Sequence, residues 1–270
     1  MSLQLNTLNQ RFYQSRCIAE WYAAKEFTLP EEQAFLDRHG NAAVDARHML
    51  DIGIGAGRTT RFLLPRAARY EGVDYSPEMI AAAQARFPHS SLMVRDARDL
   101  SAYADGEFDT VIFSFNGIDC LSHEGRLTAM AEIHRVLKPD GWFVFSAHNR
   151  NRVPASAFAR SNLSISKHPL HMWKNLCRYV LGMVNWLSTK SLAYEASGHA
   201  LRHDSSNIYG APIYYIDKAC QREQLARLGF EVVSIFDGQG RETTVAEPDV
   251  HSAWILFACR KSAIVPARQD

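Results

Sequence analysis

The feature that most constrains the fold is an alternation of short apolar runs with helix-like stretches between residues 48 and 148. Strands that alternate with helices are typical of βαβ units, in which a parallel sheet carries helices on both faces. Two of the runs, VIFSF and WFVFSA, lack polar alternation, as expected for strands that are buried on both faces. The sequence therefore predicts an α/β fold. The predicted strands of this region are HMLDIG, YEGVDY, SLMVRDA, FDTVIFSF and GWFVFSA.

The alternation stops between Asn149 and Pro212, where one long apolar stretch, HMWKNLCRYVLGMVNWL, predicts a helix. It resumes with the predicted helix IDKACQREQLARLGF and the strands EVVSIF and WILFACR. A sheet of seven strands with a helical insertion after the fifth is predicted. The chain then divides into an N-terminal helical lid (1–47), a ligand-binding core (48–148), a substrate-binding or lid insertion (149–212) and a segment that completes the core with a closing hairpin (213–270).

Composition and charge exclude several classes of protein. The formal net charge is +1, whereas proteins that bind nucleic-acid phosphates normally carry a marked basic excess. The hydrophobic content of 47% excludes a disordered chain. The five cysteines are scattered without a CxxC pair, as expected in a reducing compartment. With a polar start, MSLQLNTLNQR, and no apolar run long enough for a bilayer, the sequence predicts a cytoplasmic protein without stable membrane insertion or a nucleic-acid partner.

A glycine-rich turn is the most informative local motif. In MLDIGIGAGRTT, Gly53, Gly55 and Gly57 lie between the first predicted strand and a helix. Glycines at this place allow a tight bend and a close approach by a ligand. Asp74 ends the second strand about 20 residues later, the position at which a carboxylate can accept both hydroxyls of a ribose. The spacing predicts a nucleoside-containing ligand.

Other interpretations of the glycine turn are a dinucleotide site, a phosphate-binding loop and a purely structural turn. The dinucleotide fingerprint needs glycine or alanine at position 58, where Arg58 stands, which weakens NAD binding. No Gly-Lys-Ser/Thr follows, which excludes a Walker phosphate loop. Asp51 would disfavour a pyrophosphate but suits a cationic amino group. A purely structural interpretation makes Gly55 a turn and Asp74 a helix cap.

These motifs together resemble a known family. DIGIGAG, EGVDYSPEMI with Asp74, VRDA with Asp96, the strand FDTVIFSF and the run IHRVLKPDGWFVFS are similar to the successive motifs of class I S-adenosylmethionine (SAM) dependent methyltransferases of the small-molecule type. The resemblance covers 48–148 densely and 213–260 by topology. It implies a Rossmann-like, mostly parallel sheet of seven strands, with the last strand antiparallel between the fifth and sixth. It also implies that Gly229 ends the preceding helix in a left-handed conformation.

The resemblance further implies a SAM site. The glycine turn and Asp51 would meet the methionine part, Asp74 the ribose, Tyr75 and Met79 the adenine ring, and Asp96 with Ala97 its amino edge. Ser114, Phe115 and Asn116 would border the sulfonium. The cofactor-binding residues predicted in this way are Asp51, Gly53, Gly55, Gly57, Asp74, Tyr75, Met79, Asp96, Ala97, Ser114, Phe115 and Asn116.

Methyl transfer from a sulfonium mainly requires alignment, and a hydroxyl acceptor gains from a general base. His148 follows the fifth strand at the edge where open α/β folds bind substrates, so it is the predicted catalytic residue. Alternatively, His148 and Asn149 only cap the insertion. Asp119 and His123 are second choices. No carboxylate cluster follows the fourth or fifth strand, so no metal is predicted.

The apolar stretch from Leu170 to Leu187 allows three interpretations: a helix packed on the core, a wall of the acceptor pocket, or a membrane-surface helix. The last is suggested by basic residues beside two tryptophans, namely Lys167, Lys174, Arg178 and Lys190. The N-terminal aromatic residues Tyr13, Trp21 and Tyr22 could form a lid over SAM or a packed helix.

The predicted function is transfer of a methyl group from SAM to an O or N atom of a small-molecule acceptor, such as a natural-product, saccharide or other metabolite intermediate. The alternatives are a non-catalytic nucleoside-binding or assembly protein of the same fold and a methyltransferase for a lipid-like acceptor at a membrane surface. An NAD-linked oxidoreductase is a distant third. A homodimer is compatible with the sequence, which does not identify the acceptor.

Overall fold

The computed structural model describes residues 7–8, 27–247 and 249–262. The aromatic residues Tyr13, Trp21 and Tyr22, for which a lid is predicted, lie outside these ranges.

The bounds of the elements follow the predicted alternation. The helices are α1 (Pro30–Ala43), α2 (Thr60–Leu63), α3 (Pro77–Arg86), α4 (His123–Val136), α5 (Pro169–Thr189) and α6 (Lys218–Arg227). The strands are β1 (His48–Ile52), β2 (Arg69–Asp74), β3 (Ser91–Val94), β4 (Phe108–Phe113), β5 (Leu137–Asn149), β6 (Tyr194–Glu195), β7 (His199–His203), β8 (Pro212–Ile216), β9 (Phe230–Asp237), β10 (Glu242–Thr243) and β11 (Trp254–Lys261). Short 3-10 helices cover Gly117–Cys120, Arg160–Asn162, Lys190–Leu192 and Ser205–Asn207.

The central sheet has the order β10-β9-β11-β5-β4-β1-β2-β3. Strands β1 to β5 pair in parallel, whereas β11 pairs antiparallel with both β5 and β9. The predicted sheet with an antiparallel last strand between the fifth and sixth is therefore confirmed. The two-residue strand β10 adds an edge that the sequence did not predict.

Both faces of the sheet are buried, because successive side chains of its central strands point to opposite faces. In β5, Phe143 and Phe145 join a core cluster with Ile133 of α4, whereas Val144 joins a second cluster with Phe35 of α1. This two-sided burial explains why the strand sequences lack polar alternation.

The helix ends that shape the site are fixed by local hydrogen bonds. Ser76 caps α3, where its hydroxyl accepts from the amide of Met79, and Ser122 caps α4 in the same way through Gly125. Gly229 follows α6 with φ +81°, which confirms the left-handed end predicted there.

The insertion contains the predicted helix and two strands that were not predicted, β6 and β7, and a third unpredicted strand, β8, begins at its last residue. Strands β6, β7 and β8 form a small ribbon, and β8 pairs in parallel with the end of β5, with His148 opposite Tyr215. The segment HALRH has too few residues for a clear pattern, and the apolar run PIYYI directly precedes a helix start. Pairing with β5 therefore decides the structure of this segment.

Helix α5 does not pack against the core of the sheet. Only Gly182 and Thr189 of its residues are buried. The interpretation of this helix as a core helix is therefore wrong, because most of its large apolar side chains are exposed to solvent.

Candidate active site

The carboxyl ends of β1, β2, β4 and β5 meet at one cavity, as expected for an open α/β sheet. Most of the residues predicted for the site lie in its wall. These are Gly53, Gly55, Asp74, Tyr75, Met79, Asp96, Ala97, Ser114, Phe115, Asn116 and His148. Asp51 and Gly57 are not among the lining residues. The wall also includes residues that the sequence did not indicate, namely Ile52, Arg95, Arg98, Phe113, Gly117, Cys120, Leu121, Ser206, Ile213 and Trp254.

The glycine turn adopts left-handed backbone conformations, with φ of +67° at Gly53, +53° at Gly55 and +84° at Gly57. A Cβ on Gly53 would lie 2.7 Å from the ring of Phe113, and one on Gly57 would lie 2.7 Å from the ring of Phe87. A Cβ on Gly55 would meet only the Met79 sulfur, at 3.9 Å. Gly55 therefore leaves room in the cavity, whereas Gly57 serves the packing of the turn.

Asp74 joins the glycine turn to the start of α3. Its Oδ2 accepts a hydrogen bond from the amide of Gly55 and its Oδ1 accepts one from the amide of Ser76, both at 2.9 Å. Burial raises the pKa of this carboxyl to about 6. A carboxylate has about four lone-pair sites, so two remain for the hydroxyls of a ligand.

Asp51 lies behind the turn. Its Oδ2 accepts from the hydroxyl of Thr59 at 2.6 Å and from that of Tyr70 at 2.7 Å. Burial raises the pKa of Asp51 to about 6. Its Oδ1 is buried and has no hydrogen-bond partner within the described part of the chain. Asp51 thus anchors the start of α2 and retains one acceptor beside the turn.

Asp96 is occupied by its neighbour Arg98. The Asp96 carboxylate accepts from the Arg98 backbone amide and from its guanidinium, at 2.6–2.9 Å. Burial raises the pKa of Asp96, but the hydrogen bonds from Arg98 outweigh it, so the net shift is downward. Asp96 therefore stays ionised in the cavity wall.

A buried ion pair beside the cavity was not indicated by the sequence. Arg58, which stands where a dinucleotide site needs glycine, pairs with Glu32 of α1 through both nitrogens, at 2.7 and 2.5 Å. Arg58 also donates to the Ser114 hydroxyl at 2.9 Å and lies 4.9 Å from the centre of the Phe115 ring. This pair fixes the N-terminal helix to the ends of β1 and β4. No spacing rule links Arg58 to Glu32, so only the fold reveals the contact.

The turn after β4 is strained. Phe115 and Asn116 have φ of +55° and +57°, values that residues other than glycine adopt at a cost of about 1–3 kcal/mol each. The amide of Asn116 donates to the hydroxyl of Ser146 at 2.8 Å. The buried Oδ1 of Asn116 has no hydrogen-bond partner among the described residues. The strain holds an unused acceptor in the cavity wall.

His148 is oriented by a buried carboxylate. Its Nδ1 lies 2.8 Å from Oδ2 of Asp119, and its backbone amide donates to the same oxygen at 2.6 Å. Arg126 pairs with the other oxygen, and both Asp119 and Arg126 are fully buried. A carboxylate only accepts, so Nδ1 carries the proton and Nε2 of the neutral ring is the basic nitrogen.

Asp119 and His123, the second choices for the catalytic residue, do not line the cavity. Asp119 touches His148 rather than the cavity. His123 stacks on His199 at 4.5 Å and bonds to the hydroxyl of Tyr214 at 2.8 Å, and it does not line the cavity.

Residues 49–141 match a family model described as a methyltransferase domain. The central part of the chain is therefore similar in sequence to a methyltransferase domain. It is 30% identical over 123 residues to the ubiquinone biosynthesis O-methyltransferase of Chromobacterium violaceum, a match of 43% of this chain and 50% of the relative. It is 33% identical over 115 residues to the malonyl-[acyl-carrier protein] O-methyltransferase of Halorhodospira halophila, or 41% and 38% of the two chains. The chain thus spans half or less of the length of these curated relatives.

Solved structures share the fold over almost the whole chain. The 1,6-didemethyltoxoflavin-N1-methyltransferase of Burkholderia thailandensis, solved with its substrate and S-adenosylhomocysteine, has a TM-score of 0.60 at 16% identity and covers 97% of this chain and 91% of its own. DhpI, solved with S-adenosylhomocysteine, has a TM-score of 0.59 at 17% identity and covers 98% and 100%. The predicted fold class is confirmed.

The residues of the methyltransferase domain fit SAM. The glycine turn leaves the space of a missing Cβ at Gly55, and Asp74 retains two lone-pair sites beside it. Asn116 also lines the cavity, and its Oδ1 has no hydrogen-bond partner among the described residues. The acidic and amide acceptors around the cavity suit a cationic nucleoside.

One group of possible metal ligands occurs in the described residues: His48, Glu71 and Glu107. None of the three lines the cavity, and Arg69 already pairs with Glu71 at 2.9 Å. The absence of a metal from the reaction stays a prediction. In the part of the chain that the structure describes, no helix combines the length and apolarity needed to span a bilayer.

Proposed function

We propose that this protein transfers the methyl group of SAM to a hydroxyl oxygen of a small-molecule acceptor. The observation that supports an oxygen acceptor is the His148–Asp119 contact in the cavity wall, because an imidazole held in this way suits the removal of a hydroxyl proton. When bound, SAM supplies an activated methyl group on a positively charged sulfur.

The cofactor-binding residues hold the two ends of SAM. Asp74 accepts hydrogen bonds from the ribose hydroxyls, and Tyr75, Met79 and Ala97 surround the adenine ring. The glycine turn and Asn116 receive the methionine end, whereas Asp51 lies behind the turn. Holding the acceptor in line with the methyl group lowers the activation free energy by reducing its entropic part. In the most favourable intramolecular reactions this decrease is about 7–11 kcal/mol.

His148 acts as the general base that removes the hydroxyl proton of the acceptor. SAM held by Asp74 and the glycine turn would supply the methyl carbon, which would leave the sulfur as it bonds to the acceptor oxygen. The hydroxyl proton passes to Nε2 of His148, and the Asp119 carboxylate stabilises the resulting imidazolium through Nδ1. The products are the methylated acceptor, S-adenosylhomocysteine and a proton, which His148 releases to solvent.

The acceptor lies between the domain core and the insertion. Ser206 of the insertion, Ile213 of β8 and Trp254 of β11 line the cavity with His148. The relatives named for oxygen methylation, one in ubiquinone biosynthesis and one acting on malonyl-[acyl-carrier protein], agree with an oxygen acceptor.

The test is isothermal titration with S-adenosylhomocysteine and NAD, followed by incubation of the enzyme with a metabolite extract and SAM labelled in the methyl group. We expect binding of S-adenosylhomocysteine and a label that appears as a methyl ether or ester. Binding of NAD alone would contradict the proposal. Binding of the nucleoside without any labelled product in extracts that contain hydroxyl acceptors would favour a non-catalytic protein.

A further inference from the structure

Helix α5 presents an apolar face to solvent. Trp173 is 64% exposed and Val184 is 54% exposed, whereas residues of this kind are normally buried. Large side chains spaced three or four residues apart form this face. The face consists of Leu170, Trp173, Leu176, Val180, Leu181, Val184 and Leu187.

The opposite side of α5 fixes this orientation. Gly182 lies against the ring of Tyr209, and the amide nitrogen of Asn185 donates to the carbonyl of Ile208 at 2.9 Å. The hydroxyl of Tyr179 donates to the carbonyl of Phe158 at 3.0 Å. These contacts hold the helix on the insertion with its apolar face outward.

The charge around the helix is strongly one-sided. From residue 141 to residue 194 the sequence has no Asp or Glu and seven Lys or Arg, although the whole chain has a formal net charge of only +1. Lys174 and Arg178 lie beside the apolar face, one turn apart, and Lys167 and Lys190 flank the two ends of the helix. The apolar face is therefore bordered by positive charge with no acidic residue in the segment.

We propose that α5 docks on the surface of an anionic lipid bilayer. An amphipathic helix with a basic border binds such a surface by burying its apolar face while its Lys and Arg side chains reach the headgroups. Tryptophan suits this interface because its ring is apolar and its N–H is polar. Two copies of α5 packed face to face would bring like charges together, which favours an anionic surface as the occupant over a second copy.

The test is co-sedimentation of the full chain with vesicles of phosphatidylcholine alone and with vesicles that also contain phosphatidylglycerol. We expect binding only to the anionic vesicles, and weaker binding at high salt, because salt screens the basic border. The emission of Trp173 should shift to the blue on binding, a change that the Trp173→Phe variant loses. No turnover is measured, so the result is independent of the proposed methyl transfer.

Matched variants identify the surface. Val180→Asp with Val184→Asp, and separately Lys174→Glu with Arg178→Glu, should each lower partition to anionic vesicles at least about tenfold. The controls are Val233→Asp, at a 44% exposed valine of β9, and Arg227→Glu, at an 81% exposed arginine of α6, and both should bind like the parent.

Three outcomes would overturn the proposal. The first is failure of the parent protein to bind anionic vesicles at low salt. The second is equal binding by the α5 variants. The third is a dimer in the absence of vesicles, detected by light scattering, if the double variant Val180→Asp with Val184→Asp is a monomer and the parent protein binds no vesicles. The apolar face would then be the interface with a second copy.

Discussion

Nδ1 of His148 lies 2.8 Å from Oδ2 of Asp119, a fully buried carboxylate that Arg126 neutralises from the other side. The three residues come from β5, the 3-10 helix after β4 and α4, so the fold holds the imidazole in one orientation. The proposed base is therefore built by elements other than the glycine turn.

His148→Ala should slow methyl transfer by about 10²–10⁴-fold, the usual contribution of a general base. The affinity of this variant for S-adenosylhomocysteine should stay close to that of the parent, because the proposed cofactor contacts follow β1, β2, β3 and β4 rather than β5. Single-turnover rates with labelled SAM and calorimetric titration measure the two effects. His123→Ala is the matched control, since His123 lies near the site but outside the cavity wall. Unchanged turnover in His148→Ala would exclude it as the base.

Asp74 gives the cofactor site a pH dependence. Its pKa is about 6, so below this pH the carboxyl gains a proton and loses acceptor capacity for the ribose hydroxyls. Affinity for S-adenosylhomocysteine should fall as the pH drops below about 6, by up to about tenfold per pH unit. In Asp74→Asn the affinity should be at least about tenfold lower at pH 8 and should lose most of this pH dependence. An identical pH profile in the variant would assign the titration to another group, such as Asp51.

The Glu32–Arg58 pair should matter for stability. Glu32→Gln leaves the Arg58 guanidinium buried and only partly paired, so the free energy of unfolding should fall by about 3–5 kcal/mol. The exposed pair Arg38–Glu242, 2.9 Å apart, provides the control, and Arg38→Ala should cost less than about 1 kcal/mol. Urea denaturation of the three proteins measures the difference. An equal decrease in the free energy of unfolding in both variants would show that the buried pair stabilises the fold no more than the exposed pair.

Much of the core could be predicted because local pattern and tertiary structure agree there. The strands that contain Asp51, Asp74 and Phe113 are buried along most of their length, and their sequences are accordingly rich in apolar residues. The partners of His148 and Arg58 could not be predicted, because Asp119 and Glu32 reach them through the fold and follow no fixed spacing. The sequence left three interpretations open for α5, since an apolar helix packed on a core and one that faces solvent have the same periodicity.

Glu31 should make the folded state less stable as the pH rises. Burial raises its pKa from 4.5 to about 7, and the neighbouring Glu32 carboxylate adds to the rise. Between these values the folded state holds a proton that the unfolded state releases, so the free energy of unfolding decreases with increasing pH. Glu31→Gln should remove this decrease and raise stability at pH 8 by roughly 1–3 kcal/mol. Urea denaturation at pH 5 and pH 8 tests it, and a difference of the same size at both pH values would refute the assignment to titration.

Gly55 and Gly57 should respond differently to alanine, because only Gly55 lines the cavity. In Gly55→Ala the new methyl group would stand in open space near Met79, so it should lower the affinity for S-adenosylhomocysteine while the left-handed backbone costs about 1–2 kcal/mol of stability. In Gly57→Ala the methyl group would meet the ring of Phe87 at 2.7 Å, so stability should fall further. Calorimetric titration of each folded variant with S-adenosylhomocysteine measures the loss of affinity, and thermal unfolding measures the loss of stability. Equal affinity losses in both variants would mean that Gly55 contributes no special space to the cofactor site.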